Sequence, residues 1–300
     1  GRRHERERPD EGRRVAGRLV GVDSLLEQEG ERRAGAPQEN EGRSGTVAPA
    51  ESAEEAEERR AAEEEGDGAP VARGEVPEEY AALVAERARR VPLQHLTGRA
   101  AFRRLTLAVG PGVFVPRPET ESMVEPVLHH LAGLGRPGVA VDLCSGSGAL
   151  AFAVRDESPQ TQVYAVELSP DALAWAALNR DRLGLDVTLV AGDATADDTL
   201  ADLDGHVDVV LSNPPYIPPD AVPQDPEVFD HDPELALYGR GPDGLAIARR
   251  VAARSARLLR PGGLLVMEHA DTQGPAMTAS LQARGAWSDI EDHRDLTGRP

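Results

Sequence analysis

The sequence predicts an α/β fold built on a mostly parallel sheet covered on both faces. Three observations carry this. From residue 139 onward short apolar strands alternate with helical segments, the pattern of βαβ units. The first of those strands runs into a glycine-bearing turn, Asp142-Leu143-Cys144-Ser145-Gly146-Ser147-Gly148. Polar residues then gather just beyond successive strand ends, where open α/β sheets bind their ligands.

The strands are read in order as Val139 to Leu143, Val163 to Val166, Val187 to Val190, Val207 to Leu211 and Leu264 to Met267. Residues 149–154 begin the first helix. Ser169-Pro170 supplies an N-cap and a proline at the first position of the next, which stops at Gly184. The fifth strand follows a break at Leu258-Leu259-Arg260-Pro261-Gly262-Gly263.

Ahead of this domain, residues 76–112 form a small helix-plus-hairpin unit. Tyr80, Leu83, Val84 and Val91 lie at near-helical spacing up to Pro92, and Leu105 to Val109 alternates as a strand before Gly110-Pro111-Gly112 forces a turn. Residues 1–75 are Arg, Glu, Gly and Ala with scattered Pro. Such a segment buries too little apolar surface to offset its ordering entropy, so it is read as a disordered or extraneous extension. Residues 113–300 make up the main α/β domain.

The 300 residues carry a formal charge of -19 and no lysine, which argues against broad nucleic-acid binding through phosphates. One cysteine, Cys144, leaves no internal disulfide. No apolar run approaches the ~20 residues of a membrane span, and the Arg- and Glu-rich start lacks the apolar stretch of a signal peptide. A cytoplasmic monomer that does not engage a membrane is expected. No His, Cys or carboxylate spacing suggests a metal.

Asn213-Pro214-Pro215-Tyr216 closes the fourth strand. A planar –NH2 group offers two donors and almost no free lone pair. The Asn213 side-chain oxygen and the Pro214 carbonyl can each accept one of those hydrogens. Pro214 and Pro215 stiffen the turn, and Tyr216 can lie against the substrate plane. The slot suits an amide or a base amine equally.

On the cofactor side, the Cys144 to Gly148 turn lets the backbone approach a ligand closely. Glu167, at the end of the second strand, is placed to accept both hydroxyls of a ribose. Asp193, after the third, can take an exocyclic adenine amine. Acidic strand ends without a second phosphate-binding glycine loop favour S-adenosylmethionine over a dinucleotide. The fold class that follows is a Rossmann-like class I S-adenosylmethionine-dependent methyltransferase.

Together with Val115-Pro116-Arg117-Pro118-Glu119-Thr120-Glu121, these motifs resemble the HemK/PrmC family of protein-glutamine N5-methyltransferases. The resemblance runs from about Val76 to Arg299. It includes His95-Leu96-Thr97-Gly98, Asp232-Pro233-Glu234-Leu235-Ala236-Leu237 and Gly241-Pro242-Asp243-Gly244-Leu245. It implies methylation of the glutamine amide in the Gly-Gly-Gln motif of peptide chain release factors. Cys144, Ser145, Gly146, Ser147 and Gly148 would then hold the methionine part of the cofactor, Glu167 its ribose and Asp193 its adenine. Asn213 and Pro214 would grip the amide, Phe114 and Arg117 would cover the cofactor, and residues 218–232 would form a lip over the substrate.

Asn-Pro-Pro-Tyr is shared with adenine-amine methyltransferases, so an N6-adenine enzyme and an inactive cofactor-binding relative stay open as alternatives. Two structural expectations follow from departures from the family pattern. Pro126 should kink a helix running from Thr120 to Leu134. The family's last strand would lie beside the fifth, so without it the fifth strand is expected to be a sheet edge.

Overall fold

The computed structural model describes residues 15–22, 78–223 and 225–293. The chain divides into two compact units, residues 1–27 with 85–300, and residues 28–84. Of the second unit the described residues are 78–84, which open helix α1 (Glu78–Ala88).

The first unit is organised by a seven-stranded sheet. In chain order the strands are β1 (Val15–Val22), β4 (Val139–Leu143), β5 (Gln162–Glu167), β6 (Val187–Ala191), β7 (Val207–Ser212), β8 (Leu259–Ala270) and β9 (Trp287–His293). They lie in the order β6-β5-β4-β7-β8-β1-β9, and every ladder is parallel. A separate antiparallel hairpin, β2 (Arg99–Phe102) with β3 (Leu105–Ala108), precedes β4, after a short helix α2 (Leu93–Thr97). All five expected strands are present. The fifth begins earlier than expected, at Leu259 rather than Leu264, because the Pro261-Gly262-Gly263 stretch is carried within β8. A register shift between Val207 and Val209 on the paired strand accompanies it.

Parallel strands covered on both faces need apolar side chains on both, and β7 supplies them with Val207, Val209, Val210 and Leu211 around Asp208. Val209 and Leu211 pack into one core with Met123, Val127, Phe152 and Val266. Val210 packs into the other with Val141, Leu143, Leu245, Val251 and Leu265. Each such fully buried side chain is worth roughly 1.5–3 kcal/mol. The helices over these faces include α3 (Val124–Gly133), α4 (Ala149–Glu157), α5 (Pro170–Leu183), α8 (Ala246–Leu258) and α9 (Gly274–Arg284). Helix α5 starts and stops where expected: Ser169 Oγ accepts from Ala172 N–H at 3.3 Å, and Gly184 ends the helix at φ 65°.

Two expectations are corrected. Pro126 does not kink a long helix, because residues 119–123 form a 3-10 turn and α3 begins at Val124. That puts Pro126 in the first turn, where a missing N–H has no helical acceptor to lose. The fifth strand is not an edge either. Val15–Val22, inside the segment read as extraneous, lies between β8 and β9 in register Ala16↔Leu264 through Val22↔Ala270. A strand edge recruits a partner through backbone groups, so a short Val- and Leu-bearing run suffices whatever its surroundings. The rest of residues 1–75 lies outside the described residues.

Candidate active site

The sheet order reverses about β4, which has β5 on one side and β7 on the other. Such a switch point opens a crevice at the carboxyl ends of the strands. Leu143 is paired with Ser212, and the Ser212 hydroxyl donates to the Leu143 carbonyl at 2.7 Å. The next residues, Cys144 and Asn213, are therefore delivered side by side. Both line one cavity, together with Phe114, Arg117, Ser145, Gly146, Ser147, Glu167, Asp193, Pro215 and Tyr216. Of the candidate site residues read from the sequence, Pro214 and Gly148 are not among those that line it.

Gly148 has a backbone role that the sequence alone does not show. It begins α4 at φ 84°, and a Cβ there would lie 2.2 Å from the Phe152 ring. It closes the turn and lets Phe152 pack beneath it. Cys144 is the strained member of the loop, a non-glycine residue at φ 66°. Burial pushes its thiol far up, so it stays protonated and is no nucleophile.

The cofactor end is tied together by backbone hydrogen bonds. Glu167 Oε2 accepts the Gly146 N–H at 2.7 Å and Oε1 accepts the Ser169 N–H at 2.7 Å. Each carboxylate oxygen keeps further lone pairs, enough for two ribose hydroxyls. Ser145 Oγ is buried at the cavity wall without a partner among the described residues, a polar atom that a bound methionine group would satisfy. Asp193 Oδ1 takes the Thr195 N–H at 2.8 Å and its hydroxyl at 2.7 Å, leaving Oδ2. Burial opposes its charge, but the Thr195 bonds and the Arg250 and Arg240 guanidiniums win and hold the carboxyl below its usual range. The donor set thus fits S-adenosylmethionine: a carboxylate pair for hydroxyls and amine, and an orphan hydroxyl for the polar tail.

Sequence reasoning missed two residues here. Asp142, fully buried at the end of β4, accepts the Ala151 N–H at 3.2 Å, and burial pushes its carboxyl up to about 7. Asn179, on α5, accepts from Ala108 N–H at 2.6 Å and donates to the Ala108 and Ser147 carbonyls at 3.0 and 3.1 Å. It clamps the β2–β3 hairpin onto the glycine loop.

The other end of the cavity is built from the loop after β7. Gln273, buried, donates to the Tyr216 carbonyl at 2.8 Å and to the Asp243 carbonyl at 2.9 Å, and accepts the Ala270 N–H at 3.0 Å. Gly244 sits at φ 72°, where a Cβ would meet the Tyr216 carbonyl oxygen at 2.2 Å. The Gly-Pro-Asp-Gly motif is thus backbone packed on backbone. The Tyr216 hydroxyl donates inward to Glu268 at 3.4 Å, and burial, then the Glu268 charge, keeps that phenol protonated.

Arg117 stacks on Phe114, 4.9 Å from ring centroid to guanidinium carbon, and donates to Asp232 at 2.8 Å. The expected lip needs adjusting. None of the described residues within 218–232 lines the cavity; its wall on that side is Pro233 with Leu235, Ala236 and Leu237 of the short helix α7 (Glu234–Leu237). Residues 226–231 form helix α6 (Pro226–His231), and Asp232 anchors the segment to Arg117.

A parallel sheet with a glycine turn after β4 and Asn-Pro-Pro-Tyr after β7, meeting over one cavity, defines a class I S-adenosylmethionine-dependent methyltransferase. The methyltransferase small domain (MTS) family model matches residues 104–225. The release factor glutamine methyltransferase of Mycolicibacterium smegmatis is 52% identical over 227 residues, covering 75% of this chain and 79% of that one. Those of Streptomyces coelicolor and Bifidobacterium longum are 51% and 48% identical, covering 74% and 73% of this chain and 78% and 77% of theirs. The chain belongs to the release factor glutamine methyltransferase family.

Proposed function

We propose that this chain methylates the side-chain amide nitrogen of the glutamine in the Gly-Gly-Gln motif of peptide chain release factors, as a cytoplasmic monomer. The observation that carries the reading is the Leu143↔Ser212 register, which sets the cofactor turn and the amide slot against each other over one cavity. The release factor named by the relatives supports the substrate, and the charge of -19 disfavours nucleic acid.

In this reading Cys144 to Ser147 hold the methionine part of the cofactor, Glu167 the ribose and Asp193 the adenine, with Phe114 and Arg117 as cover. Gly148 supports the turn from behind. Asn213 Oδ1 accepts one amide hydrogen, and the Pro214 carbonyl is the second acceptor. Pro215 and Tyr216 hold the slot's shape. S-adenosylmethionine supplies an electrophilic methyl, whose bond to sulfur breaks as the bond to nitrogen forms, sulfur keeping the electron pair and a proton leaving to solvent. The residues themselves orient. Positioning of this kind supplies ~7–11 kcal/mol, which leaves no requirement for a strong base.

The test is mass spectrometry of a purified release factor after incubation with the protein and S-adenosylmethionine. One added methyl on the Gly-Gly-Gln glutamine is expected. An unmodified glutamine, with methyl appearing on RNA or DNA instead, would overturn the reading.

A further inference from the structure

Behind Asn213 lies a carboxylate that the reaction above leaves without a task. Glu268, near the end of β8, is 2% exposed and is not among the residues that line the cavity. The Ser212↔Met267 pairing brings it level with Asn213. The groups that face it come from two other parts of the fold. They are the Thr120 hydroxyl and the Glu119 charge from the 3-10 turn, and the Asn213 amide and Tyr216 phenol from the loop after β7.

Burial pushes the Glu268 carboxyl up to about 7, while Thr120, Tyr216 and Asn213 all pull the other way by stabilising the charged form. Its one hydrogen bond among the described residues is the long one from Tyr216 at 3.4 Å, and Oε2 has no partner there. A buried carboxylate with a free oxygen is costly, so its place beside the slot calls for a reason. Asn213 supplies one. Its Nδ2 points to Thr120 Oγ1 at 3.5 Å, within the same group of atoms.

An asparagine amide has two faces of opposite character, and only the oxygen can accept a hydrogen from a substrate –NH2. Above pH 7 Glu268 is charged, and a carboxylate accepts and does not donate. Were the amide reversed, its oxygen would face the Glu268 carboxylate and its –NH2 would meet the –NH2 of the substrate. We propose that Glu268 is a positioning residue that holds the Asn213 –NH2 inward, so that Asn213 Oδ1 faces the substrate amide. The inference rests on the reading of Asn213 as the amide's acceptor. The long distances describe a cluster that shortens when the substrate draws on the oxygen.

The test compares the full chain with its Glu268→Gln, Glu268→Asp, Asn213→Ala and Glu268→Gln/Asn213→Ala variants. The readouts are kcat and KM on a release factor and S-adenosylmethionine affinity by calorimetry. The amide introduced by Glu268→Gln would offer a donor as readily as an acceptor, so kcat should fall ~10–100-fold, the range for outer-shell partners. Cofactor affinity and KM should hold, Glu268→Asp should recover part of the loss, and Glu268→Gln should add nothing in the Asn213→Ala background. Asn213→Ala impaired with Glu268→Gln at full kcat overturns the role of Glu268 and keeps the slot. An equal Glu268→Gln loss in the Asn213→Ala background overturns it too. Full turnover by Asn213→Ala instead overturns the reading of the slot itself. Should Glu268→Gln fail to fold, Thr120→Val, which removes the other acceptor beside Nδ2, carries the test: a kcat loss supports the cluster and an unchanged kcat overturns it.

Discussion

The two ends of the cavity are held in opposite ways. At the cofactor end Glu167 spans two backbone N–H groups at 2.7 Å, and Asn179 makes three bonds of 2.6 to 3.1 Å across hairpin and glycine turn. At the amide end the bonds from one side chain to another, Tyr216 to Glu268 and Asn213 to Thr120, are 3.4 and 3.5 Å, and among the described residues Glu268 Oε2 has no partner. The backbone there is nonetheless pinned, by Gln273 and by the close approach of Gly244. One end is preformed down to its side chains. The other has a fixed frame with side chains that have spare capacity, as expected where catalysis depends on bonds that strengthen only with the reacting group in place.

The largest effects should separate these ends. Asn213→Ala is expected to lower kcat on the order of 10²-fold, as removal of one aligned hydrogen-bonding group does elsewhere, with cofactor affinity little changed. Glu167→Ala should do the reverse. It removes two charge-assisted bonds worth ~1.5–3 kcal/mol each, so cofactor binding weakens by ~100-fold or more while saturated turnover falls less. Calorimetry and saturation kinetics on both variants check the split; similar profiles would break the contrast.

Next in size is Asn179→Ala. Asn179 is 1% exposed, and its loss strands the Ala108 N–H and the Ala108 and Ser147 carbonyls. A destabilisation of ~1–3 kcal/mol is expected, read as a lower midpoint in urea. Because Ser147 lines the cavity, cofactor should restore part of that stability.

The strands were legible because both-face burial writes itself as short, largely apolar runs, as in Val207 to Leu211 with only Asp208 breaking it. The strand-end residues were legible for a related reason: a parallel sheet puts whatever follows each strand into one crevice, so Cys144, Glu167, Asp193 and Asn213 needed no distance information to be grouped. What could not be read was anything decided by partners far along the chain. Asn179 sits mid-helix and Gln273 just ahead of α9, with no motif around them; their roles come from contacts 71 and 57 residues away. Glu268 follows the strand read as Leu264 to Met267, but it could not be placed behind Asn213 without the order of the strands. Val15–Val22 was hidden by its setting, since its pairing is made by backbone groups that carry no sequence signal. Pro126 misled because its cost depends on the helix starting point, which the 3-10 turn moved.

The smallest expected effect concerns the latch beside the cavity. Burial pushes the Asp232 carboxyl up to about 6, with Arg117 pulling it down but not far enough to prevail. Its side chain is 1% exposed and that of Arg117 29%, bonded at 2.8 Å. Above pH 6 Asp232 is charged and the pair is closed; as pH falls through 6 it takes a proton and Arg117 loses its ionic partner. The folded-state value lies above the unfolded one, so this protonation favours the folded state and the protein should not melt from it. The change is therefore expected in KM, a rise of a few-fold between about pH 7 and 5, matching the ~0.2–1 kcal/mol of a partly exposed pair. Asp232→Asn should give the higher KM at both pH values and remove the dependence. A KM that still rises below pH 6 in that variant would place the titrating group elsewhere, and would leave Arg117 held chiefly by its stack on Phe114.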